Sequence, residues 1–407
     1  MRPLFSFDGP EPREGAEQSS PTTAQSLAIY VHVPFCRIKC HYCAYHSVTH
    51  CATDSEAWFQ GLLRDLDFQA RAMNTRERRV TSIFLGGGTP SILSPRLIGG
   101  ILEHIVSCWS LDRNVEITLE ANPESTDLSK LSEWRACGVN RLSLGVQAFD
   151  DHRLDVLGRP HSVHQARTTF AAARRAGFDN INLDLIHGSP GHTLDLWRDE
   201  LDCAMNLEPE HLSCYALSVE PGTFLDRKLQ DGRWVLPDAE TAADLYLETL
   251  QILGSRGWER YEISNHARNR RYCRHNLEIW RSGDYLGAGP AAHGRITLAG
   301  DHVIRCVNHW PLEAYLRATR AGRSPHAWIE YSPPEEEAGL CLLMGLRLSS
   351  GISRRLYHRI AGKDLAETKK EEVDFLVEEG FLELDDSIIR LTARGLDFLD
   401  DCLVRLI

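Results

Sequence analysis

Tyr30-Val31-His32-Val33-Pro34-Phe35-Cys36-Arg37-Ile38-Lys39-Cys40-His41-Tyr42-Cys43 opens on an apolar, β-branched run and closes on three thiols. The run Ala28–Val33 has the composition of a buried strand. The cysteines that follow are spaced x3 and then x2. Thiolates are soft ligands, suited to zinc or to iron–sulfur centres. Four cysteines would saturate a [4Fe-4S] cluster and usually confine it to electron transfer, whereas three leave one iron without a protein ligand. A structural zinc site of three cysteines and one histidine also fits, with His32, His41 or His46 as the fourth ligand.

Outward from this stretch, apolar runs alternate with amphipathic helical patterns. The runs are Ala28–Val33, Ser82–Leu85, Glu116–Glu120, Arg141–Val146, Asn180–Ile186 and His211–Leu217. After a longer first interval they recur at about 25 to 40 residues, a spacing of βα units. Between the first two, Trp58, Leu62 and Leu66 sit four apart with Phe59 and Leu63 beside them, which is one face of a helix. Ser94-Pro95 reads as an N-cap with Pro at the first helical position. Six strand-then-helix units predict an α/β fold with a parallel sheet covered on its faces. A curved, partial (β/α) barrel and an open doubly wound sheet both satisfy the pattern.

Either architecture gathers ligands at the carboxyl ends of the strands. Cys36 follows the first strand, Gly86–Thr89 follows the second, and Glu120 to Asn122 end the third. Gln147 follows the fourth, and Asp184 to His187 close the fifth. In Gly86-Gly87-Gly88-Thr89-Pro90 three glycines remove every Cβ, so a ligand can approach the backbone closely, with amide hydrogens pointing at it. One strand after a three-cysteine loop, that turn favours the cluster over zinc.

The chain has 407 residues, 43% hydrophobic and 25% charged, as ordinary globular proteins have. A net charge of −12 argues against bulk attraction to nucleic acid or anionic lipid. No stretch approaches the roughly 20 consecutive apolar residues of a membrane span. Residues 1–25 are polar, rich in Pro, Glu and Ser, and read as a disordered lead-in without an apolar signal core. Asp8, Glu11, Glu14 and Glu17 argue against a transit peptide. Nine of the twelve cysteines, among them Cys51, are scattered singly and read as small hydrophobes. Metal or redox chemistry is therefore expected rather than disulfides, in a reducing, cytoplasmic setting.

After about Pro237 the pattern changes. A helical stretch to Arg256 leads into an irregular segment, Trp258 to His309, rich in His, Asn and aromatic residues. From about Tyr331 the chain reads as helical. It ends in Gly380–Leu384 and Ile388–Thr392 around Asp385-Asp386, a hairpin that suggests a winged-helix-like module. Glu330 to Ile407 carries 17 Asp/Glu against 10 Lys/Arg, so docking or structural work is expected of it and not duplex reading.

These motifs together resemble the radical S-adenosylmethionine (SAM) superfamily, and within it the coproporphyrinogen III oxidase-like (HemN/HemW) family. Tyr30–Cys36 is similar to its entry strand and Gly86–Pro90 to its SAM-binding turn. The runs Glu120–Pro123, Leu144–Phe149, Leu157–Arg159 and Asn182–Gly188 match as well. The resemblance runs from about Leu27 to the C-terminus. It implies a partial (β/α)6 radical SAM barrel of parallel strands plus a C-terminal, mostly helical, winged-helix-like module. The implied divisions are residues 1–25, a core over 26–236, a segment completing the site over 237–309, and a C-terminal domain over 310–407.

The resemblance further implies that Cys36, Cys40 and Cys43 hold a [4Fe-4S] cluster whose open iron binds SAM. Tyr30 and Tyr42 would flank the cofactor, Gly87, Gly88 and Thr89 would hold its methionyl end, and Glu120, Gln147, Arg159 and Asp184 would contact the rest. The oxidases carry a fourth cysteine two residues after the triplet; here Cys43-Ala44-Tyr45 lacks it, and no oxidase-type extension is recognisable in residues 1–25. Both departures point to the haem-chaperone branch, with its His-Asn-x-x-Tyr-Trp motif. Here that motif is His275-Asn276-Leu277-Glu278-Ile279-Trp280, with His275 as the implied haem ligand and Ile279 in the tyrosine position.

Three functions stay open at this stage. The first is a haem chaperone that hands haem to acceptor proteins, with flavodoxin or ferredoxin as electron donor. The second is a coproporphyrinogen oxidase or HemN-like methyltransferase. The third is a zinc-stabilised binding protein without radical chemistry.

Overall fold

The computed structural model describes residues 26–49, 52–73 and 75–407; the lead-in over residues 1–25 and Cys51 lie outside the described residues. Six parallel strands carry opposite chemistries on their two faces. They are β1 (Ser26–Val33), β2 (Arg79–Gly87), β3 (Ser110–Ala121), β4 (Arg141–Gln147), β5 (Ile181–His187) and β6 (His211–Ala216). Successive side chains on a strand point to opposite faces. Ile83, Leu85, Ile117, Leu119, Leu142, Leu144, Leu183 and Leu185 accordingly belong to the large apolar core. The alternate positions form a polar lattice: Ser143 Oγ donates to Asp184 at 3.0 Å, and Asn182 donates to Ser143 and Asp184 at 2.7 and 2.8 Å. His211 Nδ1 meets Asn182 Oδ1 at 2.6 Å. The apolar face is shielded by helices, and the polar face turns inward to the side where ligands gather.

The covering helices are α1 (Ala52–Ala72), α2 (Pro95–Cys108), α3 (Leu128–Ala136), α4 (Asp151–Leu157), α5 (Val163–Arg175) and α6 (Leu194–Met205). Trp58, Leu62 and Leu66 are fully buried on α1, the stripe their spacing predicted. Ser94 caps α2 with Pro95 at its first position, and capping side chains of Asp127, Asp150, Ser162 and Thr193 accept the first amides of α3 to α6.

The segment expected to be irregular instead extends the sheet at both sides. α7 (Phe224–Gln230) and α8 (Ala239–Ser255) lead to β7 (Glu259–Arg260) and β8 (Asn265–Ala267), which pair antiparallel beyond β6. After α9 (Arg274–Trp280), β9 (Tyr285–Ala288) runs parallel to β1, followed by antiparallel β10 (His293–Thr297), β11 (Val303–Asn308) and β12 (His326–Ser332). The sheet has 12 strands in the order β12-β11-β10-β9-β1-β2-β3-β4-β5-β6-β8-β7, with two free ends, so the barrel is partial. Strands of two to six residues offer too few alternations for a period of two to be read from sequence.

The break expected at residue 310 falls inside this layer. Leu312, Tyr315 and Leu316 of α10 (Leu312–Arg320) pack into the large core, and β12 pairs with β11. A second core spans Ala338 to Leu406. It begins with α11 (Pro334–Gly345) and includes a small sheet of β13 (Ile352–Ser353), β14 (Leu382–Leu384) and β15 (Ile388–Leu391), the expected hairpin among helices. No described helix is long and apolar enough to cross a membrane.

Candidate cofactor-binding cleft

A cleft of about 890 Å³ opens at the carboxyl ends of β1 to β6. Cys36, Cys40, Cys43, Tyr30, Tyr42, Gly87, Gly88, Thr89, Glu120, Gln147, Arg159 and Asp184 all line it. Residues spread over 155 positions of sequence converge because β1 to β5 run parallel and bring their carboxyl ends to one edge.

The cysteine loop is held from outside. His41 N donates to Leu157 O at 3.1 Å, its Nδ1 meets Val156 O at 3.0 Å, and its ring stacks on Phe224 at 4.2 Å. His32 is also committed: Nδ1 meets Tyr30 Oη at 3.0 Å and Nε2 meets His46 O at 2.9 Å. His46 lies against Trp310 at 4.9 Å. Among the described residues, only a set remote from this loop brings three metal-type donors within 4.8 Å of one another. The three thiols do not all lie within that distance of one another, and the imidazoles of His32 and His41 already have partners, so the structure does not preform a tetrahedral three-cysteine, one-histidine zinc site.

The glycine turn works differently from the sequence expectation. Gly88 N donates to Val33 O and Thr89 N to Phe35 O, both at 2.7 Å, and Gly87 N donates to Glu120 Oε2 at 3.1 Å. These amides serve the β1–β2 seam and Glu120 rather than a ligand, because the parallel register aims them at the cysteine strand. What the missing Cβ atoms allow is that close seam: a Cβ on Gly87 (φ +104°) would lie 2.5 Å from His32 Nδ1, and one on Gly88 2.6 Å from Phe35 O.

A polar chain then joins two cysteines across three strand ends. Thr89 Oγ1 lies 3.6 Å from Cys36 Sγ and accepts from Asn122 Nδ2 at 3.2 Å. Asn122 Oδ1 accepts from Arg159 Nη2 at 2.7 Å, and Arg159 Nη1 reaches Cys40 Sγ at 3.3 Å. Arg159 Nε is buried without a partner, so the fork keeps a free donor. The sequence places Asn122 at the end of the third strand without giving it a role; directly after β3, that position is the signal that it belongs to the site. Gln147 sits at φ +69° where the β4–β5 register shifts, a strained position that re-aims its side chain into the cleft.

Glu120 and Asp184 face each other's field across the floor. Burial, then the Asp184 charge, pushes the Glu120 carboxyl up to about 8; burial likewise raises Asp184. Near neutral pH Glu120 is therefore largely protonated and able to donate as well as accept.

His275 does not line the cleft. It is buried on α9 with Nδ1 on Ser82 Oγ at 3.0 Å and its ring stacked on Phe84 at 5.1 Å. Its Nε2 has no partner, and burial lowers its pKa to about 3. Ile279, about one turn further on, reaches the cleft wall instead. Trp280 faces Arg347 at 4.8 Å, away from the cleft. Histidine and tryptophan stand five positions apart in the motif, and on a helix that spacing turns them to different surroundings. Tyr45, where the oxidases carry a fourth thiol, lines the cleft and is 69% exposed.

Residues 30–204 match the radical SAM superfamily and residues 333–398 the HemN C-terminal domain. The chain is 37% identical to bovine radical S-adenosyl methionine domain-containing protein 1, mitochondrial, covering 97% of this chain and 90% of that protein. It is 32% identical to the heme chaperone HemW of Haemophilus influenzae, covering 93% of this chain and 97% of the relative. The coproporphyrinogen III oxidase (HemN) structure from Escherichia coli superposes with a TM-score of 0.80 at 22% identity, over 94% of this chain and 90% of that one, a likeness of fold.

Proposed function

The chain belongs to the radical SAM superfamily, in the family of heme chaperone HemW, and from that premise we propose a haem-handling protein that binds a [4Fe-4S] cluster, SAM and haem and passes haem to acceptor proteins. The observation that carries the reading is the set of three half-buried thiols on one cleft wall with Tyr45 in the place of a fourth. Cys36, Cys40 and Cys43 would hold the cluster. When bound, the cluster supplies one electron for reductive cleavage of a sulfonium carbon–sulfur bond.

The chain's own residues do the positioning. Arg159 offers its free donor to a carboxylate while its Nη1 reaches Cys40 Sγ. Asn122 keeps Arg159 and Thr89 in register. Glu120 and Asp184 supply acceptors for hydroxyl or ammonium groups, and Tyr30 and Tyr42 close the sides against water. Haem ligation by His275 requires the α9 segment to open, and its unpartnered Nε2 is the donor such opening would expose. A flavodoxin or ferredoxin supplies the electron in this reading. The eleven free cysteines among the described residues suit a reducing compartment such as the cytoplasm.

The test is anaerobically reconstituted protein titrated with haemin, alone and with SAM and reductant. A Soret shift that survives in wild type and weakens in His275→Ala supports the reading; no Soret shift in wild type sinks it. The intact chain of polar groups from Thr89 to Arg159 favours a second reading, radical chemistry on a tetrapyrrole or other substrate. Conversion of coproporphyrinogen III to protoporphyrinogen IX by the same preparation would establish it in place of the first.

A further inference from the structure

α1 and α2 pack side by side on the outer surface of the sheet, away from the cleft that the cysteine loop lines. Toward their carboxyl ends they bring together Asp67, His104 and Cys108, whose ligand-type atoms all lie within 4.8 Å of one another. His104 and Cys108 are four residues apart on α2 and so share one face. His104 Nε2 stands 3.3 Å from Asp67 Oδ1, and Cys108 Sγ stands 3.7 Å from the same oxygen.

Tetrahedral zinc with N, O and S ligands at about 2.0, 2.1 and 2.3 Å has ligand–ligand edges of about 3.3–3.7 Å. The two measured edges match those lengths. Without a metal the Cys108 thiol donates to Asp67 Oδ1. His104 Nε2, however, is shut off from solvent and makes no hydrogen bond despite its approach to Oδ1. It lies 3.3 Å from Oδ1 without a hydrogen bond to it, a spacing that suits two ligands about a shared ion. The outer carboxylate oxygen lies 3.9 Å from Nη2 of the exposed Arg71. Trp109 Nε1 donates to Thr75 Oγ1 at 3.2 Å, pinning the end of α2 against the α1 terminus.

We propose that Asp67, His104 and Cys108 form a binding site for a zinc-like divalent cation that clamps α1 to α2. Nitrogen, sulfur and one carboxylate oxygen select a borderline-soft ion over calcium or magnesium. All three residues are half-buried, so water takes the fourth position. Binding releases the Cys108 thiol proton, and the thiolate stays on the metal.

Protein with its cluster reconstituted, so that iron occupies Cys36, Cys40 and Cys43, is equilibrated anaerobically with Zn²⁺ and a thiol-free reductant. After desalting, zinc and iron are counted per chain. Wild type retains about one zinc beyond its iron, and His104→Ala and Cys108→Ser each lower retained zinc by an order of magnitude or more at unchanged iron. Zn²⁺ also raises the unfolding midpoint of wild type and leaves that of His104→Ala unmoved. Equal zinc in wild type and His104→Ala, zinc retained by neither, or zinc lost only in Cys36→Ser overturns the assignment.

Discussion

A single backbone position decides whether the first two strands can close on the cysteine loop. Gly87 sits at φ +104°, and the His32 ring that a Cβ would strike has both nitrogens engaged and cannot swing away. Gly87→Ala is expected to cost about 2 kcal/mol or more in unfolding free energy. Urea titration checks this, and cluster occupancy should fall in parallel, since the same seam seats Cys36. Glu120 carries the clearest pH signature. Its folded pKa is raised to about 8 from an ordinary 4.5, so its contribution to stability is full below 4.5 and is lost as pH rises through about 8. The unfolding midpoint of the apoprotein should therefore drop between about pH 4.5 and pH 8, and Glu120→Gln should flatten that drop; parallel profiles for the two proteins would refute it. At this scale the cysteines, the glycines and the strand-end carboxylates were legible, because residue type and spacing carry them. The destination of the turn's amides was not, because it depends on which strand lies alongside.

Elements are tied together by buried ion pairs that local pattern does not reveal. Arg153 on α4 and Glu200 on α6 form a pair with side chains 2% and 3% exposed. Arg153 also donates to Ser189 Oγ at 3.1 Å and Ile186 O at 2.6 Å, fixing the end of β5 between the two helices. Arg153→Ala strands a buried carboxylate and is expected to cost about 3–5 kcal/mol, whereas Arg153→Met with Glu200→Leu should recover most of it. Chemical denaturation of the three proteins decides the matter. The six βα units were legible because each buries a long apolar run. The strands of residues 258–309 were not, being short and paired partly with β1 and β6, far away in sequence. The same limit explains His275: its motif names the residue, but only the helix it sits on shows that it points beneath the cleft.

A buried acidic side chain is among the links that join the two cores. Glu337 on α11, 2% exposed, meets Arg295 Nε at 3.0 Å and Arg305 Nε at 2.5 Å, and Arg295 reaches on to Asp284 at 2.9 Å. Burial pushes the Glu337 carboxyl up, yet Arg305 and Arg295 together hold it below its ordinary 4.5. Its contribution is therefore present above pH 4.5 and lost as pH falls through the depressed value. Glu337→Gln should loosen the C-terminal module, with faster amide exchange over residues 338–406 at neutral pH and less added loosening of that module on acidification than wild type shows. Uniform exchange in both proteins would contradict the joint. By itself the sequence determined the parallel βα core, the three-thiol loop and the glycine turn, since apolar periodicity and side-chain chemistry are local properties. Tertiary structure alone decided that the sheet runs on to 12 strands, that His275 lies under the cleft and not in it, and that Asp67 meets His104 and Cys108. Those outcomes depend on contacts between segments distant in the chain, which composition and spacing do not encode.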